Sequence, residues 1–393
     1  MKEGWQTKRV SEIARHSLGK MLDKSKNKGE PKPYLRNLNV RWGEFDLSDV
    51  LEMRFLPDEA DKYTAVKGDV LVCEGGYPGR AAIWDDDEPI YFQKALHRVR
   101  FHEPERNKWF VYFLQFRALE GTLKNHFNGA GIQHFTGEAL AQFEIPVPPL
   151  PEQQRIVGVL DEVFAGLATA QVHAEKNLQN ARALFESHLQ SVLANRKWRW
   201  KRLSDLCERV EYGSSAKSQK KGNVPVLRMG NIQAGRLDWE NLVYTVDKDE
   251  IKKYLLKHND VLFNRTNSPE LVGKSAIYKS EMPAIFAGYL IRIHRKEELL
   301  DADYLNYFLN SRIALDYGKT VVISSVNQAN INGAKLKSYP IPAPSLSEQL
   351  EVVAQLDALS TETQRLESLY QKKQAALAAL KKSLLHQAFS GEL

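Results

Sequence analysis

Arginine, asparagine and glutamine can hydrogen-bond two atoms of one base edge at once, and this 393-residue chain gathers them in short polar segments. FNGAGIQHFT at 127 to 136 carries Asn128, Gln133 and His134, and SSVNQANIN at 324 to 332 carries Ser325, Asn327, Gln328 and Asn330. Arg265 and Asn267 directly follow the apolar run VLFN at 261 to 264. A second set is cationic. Lys20, Lys24, Lys26, Lys28 and Lys32 lead into Arg36, Asn39 and Arg41, while Lys217, Lys220 and Lys221 lead into Arg228 and Asn231. Lysines on loops neutralise phosphates without reading sequence, whereas bidentate donors read it. The formal charge of +6 and a pI near 9.0 agree with a polyanionic ligand. The plain alternatives are a solvated lysine-rich loop and ordinary loop hydrogen bonding.

Catalytic chemistry is harder to assemble. There is no Asn-Pro-Pro-aromatic or Asp-Pro-Pro-aromatic motif and no F-x-G-x-G loop, so an adenine-methyltransferase site is missing. SPELVGKS at 268 to 275 ends like a phosphate loop with Gly273, Lys274 and Ser275, but Ser268 stands where the first glycine belongs. The segment after it alternates like a strand, which excludes nucleotide binding there. DKDEIKK at 247 to 253 contains a Glu-x-Lys that fits a nuclease and a charged surface turn equally well, and the 10 histidines show no metal-ligand spacing. Cys73 and Cys207 are far apart, so two buried thiols are expected rather than a disulfide or a zinc site. No signal-like apolar segment opens the chain and no uninterrupted run of 18 apolar residues occurs, so a cytoplasmic protein is expected.

The elements that must carry these residues occur twice. KRVSEI at 8 to 13 returns as KRLSDL at 201 to 206, with Trp5 and Trp198 each three residues upstream. YLRNLNVRWGEFD at 34 to 46 returns as VLRMGNIQAGRLD at 226 to 238, GDVLV at 68 to 72 as NDVLF at 259 to 263, and GRAAIW at 79 to 84 as GKSAIY at 273 to 278. A unit of nearly 200 residues is a domain with an appendage rather than a solenoid repeat. Short alternating segments broken by Gly, Pro, Asn and Asp predict strands and hairpins, followed by one helical stretch in each copy. The fold class expected is α+β.

IPVPPLPEQQRIVGVLD at 145 to 161 and IPAPSLSEQLEVVAQLD at 341 to 357 then close each domain and open a long helix. Pro151 suits the first helical position, Glu152 favours the positive end of the helix dipole, and Ser345 with Glu348 has capping-box spacing, Ser347 being an alternative cap. Each helix runs about 43 residues, roughly 60 to 65 Å. Ile156, Leu160, Val163, Leu167 and Leu184 share one heptad stripe, and Val352, Leu356, Leu359, Leu366, Leu377, Leu380 and Leu384 share another in the same phase. Asn177 and Lys373 are matched polar breaks with two readings, a register-setting seam residue or a plain packing irregularity near a solvated spot. The expected architecture is two domains related by a pseudo-twofold and joined by an antiparallel coiled coil. Its segments are 1–150 (first domain), 151–196 (helical spacer), 197–344 (second domain) and 345–393 (second spacer).

Over nearly the whole chain this layout resembles the specificity subunit of Type I restriction-modification enzymes. The likeness rests on the duplicated order, the P-x-P-x-L-x-E-Q signature at Pro146 to Gln153 and Pro342 to Gln349, and the ending LLHQAFSGEL at 384 to 393. The resemblance implies a non-catalytic subunit that binds a bipartite double-stranded DNA target, one half-site per target-recognition domain, with the helices fixing the unread spacer. It also implies two modification subunits that use S-adenosylmethionine, and restriction subunits that use ATP and Mg, with no cofactor on this chain itself. Apolar residues flanking the seam, Phe164, Phe185 and Phe389, are then expected to await the modification subunits. A different class of reading is a bivalent coiled-coil adaptor that grips two copies of a protein. Salt separates the two, since phosphate contacts weaken steeply with ionic strength and an apolar interface does not. A defence complex outside the Type I systems that uses the same subunit is a third.

Overall fold

The computed structural model describes residues 4–23, 25–195, 197–325 and 328–393. The chain divides into two compact units, Met1–Ala174 with Lys372–Leu393, and Glu175–Gln371.

In the first unit the repeated passage answers to the start of the chain. Its first residues form the strand Glu144–Val147, which pairs antiparallel with Gln6–Arg9 through Lys8↔Ile145 and Gln6↔Val147. Ile145 and Val147 are buried, while Pro146, which has no N–H to donate, is tolerated because the sheet has only two strands. The Pro146 carbonyl accepts from Trp109 Nε1 at 2.7 Å, and Trp109 meets Trp5 edge-on at 5.7 Å. Beyond this clasp lies an antiparallel sheet ordered Ala14–Leu18, Leu96–Phe101, Val70–Cys73, Ala81–Ile83. A mixed sheet follows, ordered Leu51–Phe55, Glu30–Leu35, Ile90–Phe92, Thr64–Ala65. The helix Asn107–Glu120 buries Trp109, Phe110, Phe113 and Leu114, and Gly121 ends it at φ +78, a conformation that favours glycine.

The second unit repeats the plan. Trp200–Arg202 pairs with Pro340–Pro342, and the Pro342 carbonyl accepts from Tyr304 Oη at 2.8 Å. The four-stranded sheet runs Cys207–Tyr212, Leu290–Arg295, Val261–Asn264, Ser275–Ile277, in the same order as before. The helical stretch expected after it is two helices, Ala302–Leu309 and Arg312–Val321. Ser311 causes the break: it is buried, extended, and caps the second helix by accepting from the Ala314 N–H.

Leu150–Leu193 and Leu346–Ser390 are single helices of 44 and 45 residues. The first begins one residue earlier than its proline predicts, with the Pro149 carbonyl accepting from the N–H groups of Glu152 and Gln153. At the second, Ser345 rather than Ser347 is the cap, its N–H and Oγ both donating to Glu348 at 2.8 and 2.7 Å. The glutamine of each signature is fully buried. Gln153 donates to the Pro148 carbonyl at 2.7 Å, and Gln349 to those of Pro344 and Leu299 while accepting from the Asp301 N–H. The last residue of the passage ties helix to domain: Tyr112 donates to Asp161 and Tyr307 to Asp357, each at 2.5 Å. Burial and then the neighbouring carboxylate raise both phenols above their usual range.

Within each unit two helix segments run antiparallel. In the first, Ile156 and Leu160 share a core with Leu385 and Ala388, and Lys381 lies over the Phe164 ring at 4.9 Å. In the second, Leu189 and Leu193 share a core with Val352 and Leu356, and Arg182 pairs with Glu367 at 3.0 Å. The heptad stripe holds for Ile156, Leu160, Leu167, Val352 and Leu356, which are buried, and for the half-buried Val163, Leu359, Leu366, Leu377 and Leu384. It fails at Leu184 and Leu380, exposed by 53% and 46%. Asn177 and Lys373 are exposed too, so neither is a register-setting residue of the seam. From there the buried face passes to Leu178 and Phe185 and to Gln374 and Lys381, because a straight helix of 3.6 residues per turn drifts off a 3.5-residue repeat. By length and composition Leu150–Leu193 could cross a membrane, with an 18-residue stretch of mean hydropathy 1.2. Its apolar residues Ile156, Leu160 and Leu167 are buried against protein, and 17% of that stretch is buried in all.

Candidate nucleic-acid interface

In each unit the loop after the strand Val70–Cys73 or Val261–Asn264 is tied to a late hairpin by backbone hydrogen bonding. The Phe135 N–H donates to the Glu74 carbonyl at 2.7 Å, and the Ile331 N–H to the Arg265 carbonyl at 2.8 Å. Loops far apart in sequence are thereby brought onto one edge. In the first unit Asn128 and His134 exchange backbone hydrogen bonds at 2.9 and 2.8 Å, with Asn128 and Gln133 exposed and the His134 ring against Gly75. In the second, a three-stranded ribbon orders Thr266–Asn267, Gln328–Asn330 and Ile323–Ser325. Its strands carry Asn267, Ser325, Gln328 and Asn330, with Arg265 directly before the first of them in sequence, while Asn327 lies outside the described residues. Asn330 donates to Thr266 Oγ1 at 2.8 Å. Arg265 donates to the Gly288 carbonyl at 3.2 Å and lies over the Tyr212 ring at 4.8 Å. A cleft of about 490 Å³ beside this ribbon brings Arg228, Asn267 and Tyr289 together with Lys274, the lysine of the apparent phosphate loop.

Several expected contacts are consumed by the fold. Asn39 is buried, its Oδ1 accepting from the Arg36 N–H and its Nδ2 donating to the carbonyls of Asp46 and Asp49. Asn231 does the same with Arg228, Asp238 and Glu240. Both are knots of a repeated turn and have no donor left for a base. Lys20 is buried, with Nζ on Glu59 at 2.5 Å and on the Arg54 carbonyl at 3.0 Å, which removes it from the phosphate set. Arg36 is committed to Asp49 at 2.6 Å and Arg41 to Asp46 at 3.0 Å. Lys26 and Lys28 are exposed, Lys26 beside Asp23 at 3.6 Å, and Lys24 lies outside the described residues. Lys217, Lys220 and Lys221 are all exposed on the loop between Cys207–Tyr212 and Val224–Leu227.

The sequence reading passed over Tyr77 and Arg80. Tyr77 is half exposed, Arg80 stacks over its ring at 3.7 Å, and Arg80 also donates to the Asn37 carbonyl. The glycines and proline of EGGYPGR at 74 to 80 were the available signal. Cys73 and Cys207 are free and buried, and burial pushes the Cys73 thiol up to about 12, so neither is a reactive centre. Among the described residues no group of three or more His, Cys, Asp or Glu could hold a metal ion. Phe164, Phe185 and Phe389 are not held out for a partner, since each packs on the core of its own unit. The exposed apolar residues of the long helices are Val172, Leu184, Leu350, Leu369 and Leu380.

Two domains of one design, each with a cation- and amide-bearing edge and each finished by the long helices, form a duplicated recognition protein. The sequence matches the Type I restriction modification DNA specificity domain at residues 2–178 and again at 195–376, and the chain belongs to that family. It is a specificity subunit with two target-recognition domains, the non-catalytic component of its system. Over 416 residues it is 24% identical to the Type I restriction enzyme EcoKI specificity subunit of Escherichia coli K12, covering 100% of this chain and 89% of that protein. Over 159 residues it is 32% identical to the putative MjaX specificity subunit of Methanocaldococcus jannaschii, covering 39% and 37% of the two chains. In fold it matches the HsdS subunit from Thermoanaerobacter tengcongensis with a TM-score of 0.61 at 20% identity, covering 100% and 98%. A chain from a structure on complex assembly and conformational transition of the type I R-M system gives 0.80 at 20% identity, covering 100% and 99%.

Proposed function

We propose that each unit reads one half of a bipartite duplex target through the edge described above, and that the long helices fix the unread spacer and dock two modification subunits. The observation that carries the reading is the tie between the post-strand loop and the late hairpin in both units. It joins the hairpin of Asn128 and Gln133 to the loop that carries Arg80 in one, and gathers Arg265, Asn267 and Asn330 in the other. Bidentate donors at a loop edge, with Asn128 and Gln133 exposed and Arg80, Arg265, Asn267 and Asn330 half-buried, are the groups base readout in a groove requires, and the exposed Lys26, Lys28, Lys217, Lys220 and Lys221 supply the phosphate contacts. The exposed leucines of the helices are the surface offered to the modification subunits. In this assembly S-adenosylmethionine belongs to those subunits, and ATP with Mg to the restriction subunits. The working location is the cytoplasm, where chromosomal DNA is reached.

The test is the methylome of a host expressing this chain with its modification subunit, against the modification subunit alone. A new adenine-methylation motif split by unread bases is expected, and exchanging residues 1–150 for those of another specificity subunit should change one half only. Formation of the complex without any motif would sink the reading.

A further inference from the structure

Ile132 is the most exposed of the large apolar residues among those described, at 75%. It sits at the tip of the loop 128–134, whose base is closed by the Asn128–His134 backbone pair and whose side rests on Gly75. The tip geometry needs glycine: Gly129 has φ +109, and a Cβ there would meet the Ile132 carbonyl oxygen at 2.3 Å. The loop therefore draws the Ile132 carbonyl inward while its side chain remains in water. An aliphatic side chain left in water adds nothing to the core, and at this loop tip, in company with two exposed amides, it is free to meet a ligand. Its neighbours give the ligand's chemistry. Asn128 and Gln133 are exposed amides, the groups that pair with N6 and N7 of adenine, and the remaining distinctive group on the major-groove edge of that base pair is the thymine methyl.

We infer that Ile132 packs on the 5-methyl group of a thymine in the half-site of the first recognition domain, with Asn128 and Gln133 serving the adenine edge beside it. The inference rests on the loop edge being the DNA-facing one. It makes the first domain dependent on an A·T pair at the base step under the tip.

The specificity subunit is assembled with its modification subunits, and the first half-site is identified by the exchange of residues 1–150. Binding is then measured to the target duplex and to duplexes with each thymine of that half-site, on either strand, replaced by deoxyuridine, which lacks only the methyl. One replacement should weaken the unmodified protein about five-fold. Ile132→Ala should bind the thymine duplex about five-fold more weakly and ignore the same replacement. Indifference of the unmodified protein to every deoxyuridine overturns the inference, as does a first half-site built of G·C pairs alone. Equal loss by Ile132→Ala on thymine and uracil duplexes also overturns it and makes the residue a wedge between base steps. Asn128→Ala and Gln133→Ala locate a failure. If they weaken binding while deoxyuridine is ignored, only the methyl contact is wrong; if they bind as well as the unmodified protein, the DNA-facing edge is elsewhere.

Discussion

Asn39 and Asn231 have the right side chain for reading adenine, and both spend it on carbonyls of their own turn. Because they are buried, truncation leaves two acceptors without donors. Asn39→Ala and Asn231→Ala should each cost about 2–3 kcal/mol of unfolding free energy, measured by thermal or denaturant melts, while leaving the methylated motif unchanged in the protein that folds. His97 makes a second case. It is buried, donates one hydrogen bond from Nε2 to the Phe135 carbonyl at 3.0 Å, and burial holds its pKa down near 4 against an ordinary 6.5. Between those values the unfolded chain takes up a proton that the folded one refuses, so the folded state is fully favoured above pH 6.5 and loses ground as pH falls toward 4. The loss should reach about 3 kcal/mol in melts of the first unit across that range, and His97→Phe should flatten it.

At the level of elements the loops divide the electrostatic work unevenly. The first basic loop loses Lys20 to Glu59 and leaves Lys26 beside Asp23, whereas the second keeps Lys217, Lys220 and Lys221 exposed. Replacing those three by alanine should lower the slope of log binding constant against log salt by about 2–3, with affinity falling on every duplex alike. An unchanged slope in salt titrations of the assembled complex would remove the loop from the interface. The same comparison shows where sequence reasoning stops. Proline and Glu-Gln spacing marks the start of both long helices because caps are local, whereas the strand pairing of Gln6–Arg9 with Glu144–Val147 was not legible, since only the fold joins segments so far apart. Lys20 could not be told from its neighbours, since Glu59 lies 39 residues away and only the fold joins them. Leu184 and Leu380 obey a heptad on paper, but the small mismatch between 3.5 and 3.6 residues accumulates over a helix this long.

At the scale of whole units, the first is held by contacts between its two chain segments, Met1–Ala174 and Lys372–Leu393. Phe389 lies against Trp109, Phe113 and Phe116 at 4.6, 5.1 and 5.3 Å between ring centroids, and Arg155 donates to the Leu393 carbonyl at 2.7 Å. Phe389→Ala should cost the first unit about 3 kcal/mol and leave the second untouched, read by hydrogen exchange on the helix Asn107–Glu120 against Ala302–Leu309. Equal deprotection of both helices would contradict the division into two units.

That division also dictates an order of assembly during synthesis. The second unit is one continuous segment, Glu175–Gln371, whereas the first is completed by Lys372–Leu393. A ribosome therefore releases everything the second unit needs before it releases the last part of the first. The first unit's earlier segment waits without Phe389 on Trp109 and Phe113 until Lys372–Leu393 emerges, and is the half more exposed to chaperones and proteases in the interval.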